Sequence, residues 1–378
     1  MSVGFNPVGR FSPTVPTKVP LLSPLDPTLV GGRPDGVSLT VVVFAFRRRE
    51  FVADAVRSIL EPPPRRELRE IVVVTDFVDP EIDSLFPTPP TIVLHPKDPR
   101  QGTWVAEALK ASTGEVVLFL DDDDRFRPGK LDHVRAKFSD DPTLIYYHNG
   151  MFRFSGSGEP RDPGRDRPGS SGHGARRIDV EEIRRDSALL RQLWDTGIAF
   201  NASSIAIRRS ALSPHLEELR EVRGGIGAFL FYAALTAPHG GIMTDSEAWT
   251  AYRVHGSNTS AEAGASRRVR WTRNVSLSPT VVHDADVVIG MGRHSGFLGS
   301  EQLLPVAVRR RRHVLWGALA DWESDRATMA RALWEYGRVA RADSPRNALV
   351  LAGLGGIAIL SPRTIRRLLA EETGRDGR

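Results

Sequence analysis

The chain has no cysteine among its 378 residues, which excludes disulfides, thiolate metal ligands and cysteine nucleophiles. Such a composition suits a reducing compartment, and the expected location is the cytoplasm, with the inner face of the cell membrane as an alternative. No long apolar run is present either. The longest, Ala348–Leu360, is 13 residues with its glycines counted, against the ~20 that a spanning helix needs. A transmembrane segment is therefore not expected. Residues 1–37 lack a continuous apolar core of the signal-peptide kind and are broken repeatedly by proline, so they read as an extended or disordered Pro/Gly-rich arm. Glycine is missing from FAFRRREF (Phe44–Phe51), just after the first apolar strand, where a nucleotidyltransferase would usually carry a glycine-rich phosphate loop.

The net charge of +5 is concentrated at one end. From Glu301 onward there are 14 arginines against 9 acids, a difference of +5, and the rest of the chain balances at 37 against 37. No RNA-binding or helix-turn-helix signature accompanies these arginines, so nucleic acid is not the expected partner. A surface facing anionic lipid accounts for them at least as well.

The rest of the chain alternates between two periodicities. SLTVVVFAF (Ser38–Phe46), EIVVVTDF (Glu70–Phe77), TIVLH (Thr91–His95) and EVVLFL (Glu115–Leu120) are short, β-branched apolar runs of the kind buried on both faces. Between them, Glu50–Leu60 and Thr103–Ser112 have helical spacing or composition, and Gly114 follows the second as a C-cap glycine would. Strands alternating with helices predict a Rossmann-like, mostly parallel α/β sheet flanked by helices. A helix is predicted from Leu131, a strand over Ile145–Phe154 and a mobile loop over 155–177, where Gly, Ser, Pro and Arg dominate. Asp179 with Glu182 resembles a capping box before a further helix. Ile198–Ile207 reads as strand, Ala228–Leu235 as helix, and His313–Ala340 as one amphipathic helix through Leu315, Leu319, Trp322, Met329, Leu333 and Tyr336.

Four consecutive aspartates, Asp121 to Asp124, follow directly on VVLFL. As a surface run they would only repel one another. At the carboxyl end of a central parallel strand they stand where open α/β sheets bind ligands. Carboxylates there suit a hard cation such as Mg2+ or Mn2+, which would bridge them to a diphosphate and neutralise charge on it as it leaves.

The whole motif, LDDDDRFRPGKL, resembles the LDxDDxxxPxKL element of family 2 glycosyltransferases. Ser38 to Ser260 as a whole is similar to that family, which implies the GT-A fold, a UDP- or GDP-linked sugar donor and transfer to a glycan or lipid-linked acceptor. On this resemblance residues 38–260 are the catalytic domain and 261–378 a mainly helical basic extension. VVVFAFRR stands for the family's VVIPTYNR, placing Phe44, Ala45 and Phe46 against the nucleotide, with Arg47 where asparagine is common. Asp76 becomes a candidate base or ribose contact. Asp121 would face the ribose or sugar, Asp122 would be the variable member of the run, and Asp123 would hold the metal with Asp124 nearby. YRVHGSNTS (Tyr252–Ser260) resembles a late family element in which His255 completes the metal shell or touches the diphosphate. Arg253 there could pair with phosphate as a bidentate donor.

The acceptor side departs from the pattern. An inverting transfer needs a general base, and the family supplies an acid just before an apolar helix, where this chain has Gly227 in RGGIGA. Glu221 is then the nearest upstream candidate, with Asp245 and Glu247 downstream, and an acceptor that arrives ionised would need no strong base. Gly227 also keeps open a non-catalytic binding protein of the same fold, and a strand-end aspartate with a metal keeps open a nucleotidyltransferase. The basic C-terminal helices are open to two readings: docking at a membrane surface, or packing on the catalytic domain or in a homodimer.

Overall fold

The computed structural model describes residues 36–46, 48–60, 68–78, 82, 91–155, 174–255, 267–320 and 326–343. The expectations placed on residues 1–35, Arg47, 156–173, 256–260, Trp322, Ala348–Leu360, Arg363, Arg366 and Arg367 lie outside the described residues.

The chain begins β1 (Leu39–Ala45), α1 (Val52–Leu60), β2 (Leu68–Thr75), β3 (Thr91–Leu94), α2 (Gln101–Ala111) and β4 (Val116–Asp121). It continues β5 (Arg125–Phe126), α3 (Lys130–Asp140), β6 (Leu144–Phe154), β7 (Arg176–Asp179), α4 (Val180–Arg185), α5 (Ser187–Asp195) and β8 (Ile205–Arg208). Then follow α6 (Arg209–Leu212), α7 (Leu216–Glu221), α8 (Ile226–Leu235), β9 (Gly241–Arg253), α9 (Arg267–His294), α10 (Leu304–Ala320) and α11 (Arg326–Asp343). Among the described residues nine strands form one sheet in the order β3-β2-β1-β4-β8-β6-β9-β5, with β7 also on β9. The pairs from β3 to β4 are parallel, and so is β6 with β9; β8 runs antiparallel between β4 and β6.

Both faces of this sheet are covered, which explains why the strands are apolar without alternation. Successive side chains of β1 enter different cores: Val42 and Phe44 pack with α2 and α8, whereas Val41, Val43 and Ala45 pack with α1 and α3. β4 divides the same way, with Val117 and Phe119 on one side and Leu118 and Leu120 on the other. Each such residue, fully buried, contributes ~1.5–3 kcal/mol relative to exposure. Gly114 has a packing reason, because a Cβ there would lie 2.6 Å from the Thr40 nitrogen. The close approach lets Glu70 Oε1 accept from the amides of Thr113, at 2.7 Å, and Gly114, at 2.9 Å.

Several expectations change. Asp179 has no side-chain cap; the capping aspartate is Asp186, which accepts from the amides of Ala188 and Leu189, and two short helices replace one. Of Ile198–Ile207 only the end is strand, because the chain first makes a 3-10 turn at Ala202–Ser204. His313–Ala340 is divided between α10 and α11. β9 and the 28-residue α9 had no clear signature; α9 carries Pro279 within it, a residue that argues against helix interiors. Ala285, Val288 and Met291 of α9, with Val306 of α10, join the same core as β1 and β4, so these helices pack on the sheet domain. No helix among the described residues is long and apolar enough to cross a membrane.

Candidate active site

The ladder between β1 and β4 pairs Phe44 with Asp121 and extends one residue further, where the Asp122 amide donates to the Phe44 carbonyl at 2.9 Å. The Asp124 amide donates back to the Asp121 carbonyl at 3.1 Å and closes a turn. Consecutive carboxylates on this turn take different surroundings instead of fanning into water. Asp121, Asp123 and Asp124 each present an oxygen within 4.8 Å of the other two. Asp122 is buried and faces Arg48, which donates to it through Nε at 3.2 Å and again through its terminal nitrogen. The second of the four is therefore a paired side chain, not an open ligand contact.

The turn is held from beneath. Ser203 Oγ accepts from the Asp121 amide at 3.0 Å, and Asn201, at φ 59°, caps the Ser203 amide at 3.0 Å. Positive φ in a residue other than glycine is uncommon and clusters at functional sites. Lys130 is buried beneath the turn, where its ammonium donates to the Ser203 carbonyl and, at 2.9 Å, to Thr250 Oγ1. Burial pushes the Lys130 pKa well down, and the Asp124 charge opposes that shift.

Arg253 departs from its expected role. Its guanidinium is sandwiched between Phe51 and Phe154, with ring centroids at 4.6 and 4.5 Å, and Nε donates to the Asp123 carbonyl at 2.8 Å. Its amide donates to Asp124 Oδ1 at 3.0 Å, and Asp54 pairs with its terminal nitrogen at 3.3 Å. Buried this way, Arg253 positions the acidic turn and does not present a fork to a phosphate. His255 lies at the turn, with Nε2 2.9 Å from Asp123 Oδ2 and its ring against Phe51.

The environment makes the carboxylates hard to ionise. Burial, followed by the Asp123 charge, raises Asp121 to about 7. Burial raises Asp122 to about 8 against the pull of Arg48, and Asp124 lies well above the usual carboxylate range through burial and its charged neighbours Asp123 and Asp121. Asp124 Oδ2 is buried without a hydrogen-bond partner. An orphaned buried carboxylate oxygen beside two others is a donor set suited to a hard divalent cation.

Around this centre the other expected residues scatter. Phe44 is a core residue stacked on Phe119 at 6.1 Å, and Ala45 is buried in the opposite core. Phe46 is exposed and lies 5.7 Å from Trp104. Asp76 is exposed just beyond β2. Glu221 is engaged elsewhere: Arg100, at the start of α2, holds its carboxylate at 2.7 Å while also pairing with Asp98. Gly227 lies in the first turn of α8, where a Cβ would collide with the Ala199 carbonyl oxygen. The close approach of α8 to that carbonyl excludes any acid side chain at this position. Asp245 instead accepts from His133, at 3.0 Å, and from Tyr147, at 3.0 Å.

Sequence reading missed Arg48, Ser203 and Asn201. Lys130 lies within LDDDDRFRPGKL, yet nothing local marks it as buried under the turn. Arg48 sits in a run of three arginines whose members only the fold distinguishes.

The profile of Glycosyl transferase family 2 matches residues 40–216, a span that opens in β1 and includes the whole acidic turn. A search of curated protein sequences finds no match. Among solved structures the chain is similar to S. aureus TarS 1-349, at 14% identity and TM-score 0.50, over 88% of this chain and 90% of that one. It also aligns with the mannosyltransferase PcManGT from Pyrobaculum calidifontis, in complex with GDP-Man and Mn2+, at 16% identity and TM-score 0.42, over 89% and 84% of the two chains. Sheet order, profile and strand-end carboxylates agree: the chain has the fold of GT-A glycosyltransferases, and its residues 40–216 match the family 2 glycosyltransferase profile.

Proposed function

We propose that this chain is a glycosyltransferase that takes its sugar from a nucleoside diphosphate donor, UDP- or GDP-linked, with a divalent ion, Mg2+ or Mn2+, held at the end of β4. The observation that carries the reading is the trio Asp121, Asp123 and Asp124, with the buried Oδ2 of Asp124 unpartnered. Asp123 and Asp124 would hold the ion, with His255 beside them and Asp121 turned to the donor. A bound ion would supply charge neutralisation on the departing diphosphate. The chain's own residues keep the carboxylates converged through Ser203, Lys130 and Arg253. Phe46 and Asp76, exposed beyond the ends of β1 and β2, would meet the base or ribose.

The acceptor proposed is a glycan or lipid-linked glycan. Gly227 offers no proton acceptor and Glu221 is bound to Arg100, which favours an acceptor needing little activation, such as one presenting a phosphate oxygen. The test is thermal stabilisation by UDP and GDP with and without Mn2+, followed by turnover of a nucleotide-sugar panel. Stabilisation that requires the metal is the expected result. Binding of neither nucleotide under any metal condition would remove the proposal and leave the non-catalytic reading.

A further inference from the structure

Arg48 lies three residues beyond the end of β1, and its guanidinium reaches across the front of the acidic turn. It holds Asp122 through two nitrogens and donates to Asp123 Oδ2 at 2.6 Å. The same Asp123 oxygen is 2.9 Å from His255 Nε2, and Arg48 Nη1 is 3.3 Å from that ring nitrogen. Nε2 lies within hydrogen-bond distance of both groups, and its tautomer sets whether it donates to Asp123 or accepts from Arg48. The Arg48 side chain is one quarter exposed, whereas those of Asp122 and Asp123 are 1% and 8% exposed; the cation is the movable member of the cluster.

A divalent ion that takes Asp123 Oδ2 and His255 Nε2 needs the oxygen that Arg48 holds and the ring nitrogen that both Arg48 and Asp123 contact. We propose that Arg48 is a built-in counter-cation that excludes such an ion: the guanidinium and the metal are alternative occupants of the face formed by Asp123 and His255. The inference rests on the metal-dependent reading above. It predicts that the ion alone binds weakly, because it must displace the Arg48 Nη1 contact to Asp123 while Asp122 still holds the guanidinium close by. A donor diphosphate then does two things at once, since it ligates the ion and offers the released guanidinium a phosphate partner of matching geometry. Metal and donor would load together instead of in sequence.

The experiment measures Mn2+ binding by electron paramagnetic resonance, and melting temperature in chelator and at saturating Mn2+, without nucleotide. It compares wild type with Arg48→Gln and Arg48→Lys. Arg48→Gln should bind Mn2+ alone ~10-fold more tightly, the scale of losing one close competing charge. It should also melt below wild type in chelator and reach wild type when Mn2+ is saturating. Arg48→Lys keeps the charge without the fork and should fall between, which guards against a folding defect in the glutamine variant. Equal Mn2+ affinity in all three, or a melting deficit that persists at saturation, means Arg48 stays beside the ion and overturns the inference alone. Binding of Mn2+ by none of them overturns the metal reading and this inference with it.

Discussion

The two sides of the candidate site are built on opposite principles. On the donor side, β4 ends in carboxylates that are crowded, buried and braced from three directions by Ser203, Lys130 and Arg253. On the acceptor side, where α8 begins, the chain has no carboxylate and room for none, because the helix approaches the Ala199 carbonyl too closely for any side chain. A strained cluster of like charges persists only where surrounding structure enforces it. On the proposed reading, donor binding is the specialised half of this protein, and acceptor activation is not built around the start of α8.

The most severe way to break the comparison is to remove the donor centre. Asp123→Ala should reduce transfer from the preferred nucleotide sugar by ~100-fold or more, since an ion at the leaving group is worth several kcal/mol of barrier. Steady-state turnover with and without Mn2+ checks it, and a variant that kept its metal response would shift the centre away from Asp123.

Next in size is the dependence on pH. Asp121 at about 7 and Asp122 at about 8 hold protons in the folded state that the unfolded chain has lost above pH ~4. The folded pKa values are raised, so metal-free stability should fall as pH rises from about 5 to about 8, by a few kcal/mol at most. Mn2+ should reverse the trend near pH 8, because the ion replaces the protons. Melting temperatures across that range, with chelator and with metal, provide the measurement.

A third change sharpens the acceptor side. Gly227→Asp restores the residue the family resemblance anticipates, yet it should lower stability by about 1–3 kcal/mol through overpacking against Ala199 and bring no gain in rate. Denaturant unfolding together with transfer assays decides it; an active, stable Gly227→Asp protein would show that α8 can retreat. The smallest effect is expected at Glu221. Its pair with Arg100 is surface-exposed, so Glu221→Gln should change stability by less than about 1 kcal/mol. Transfer rate should stay near wild type, whereas a loss of ~100-fold would identify Glu221 as a general base after all.

Much of the donor half was legible in order along the chain. β1, β2, β3 and β4 stand close to where their apolar runs place them, and the acidic turn follows the central strand as anticipated. Local composition carries that information because a strand covered on both faces must be apolar throughout. What misled was contact across the sequence. Phe44 reads the same whether it lines a pocket or stacks on Phe119, and Arg253 reads the same whether it meets a phosphate or the carbonyl of Asp123. Likewise, Asp179 with Glu182 matched a capping box, yet Asp186 is the residue that caps.

The sequence by itself determined the parallel α/β half of the sheet, the placing of four carboxylates at the end of its central strand, and the missing acid at 227. These follow from short-range rules: apolar periodicity, residue chemistry and position within a strand. Only the tertiary structure decided that Arg48 bridges Asp122 and Asp123 and that Oδ2 of Asp124 is the buried oxygen left unpartnered. Arg48 arrives from β1, His255 from beyond β9 and Ser203 from a turn before β8, and their meeting depends on the order in which the strands lie side by side. The aspartate run read as a place for a metal, and the fold showed that an arginine already stands at its face.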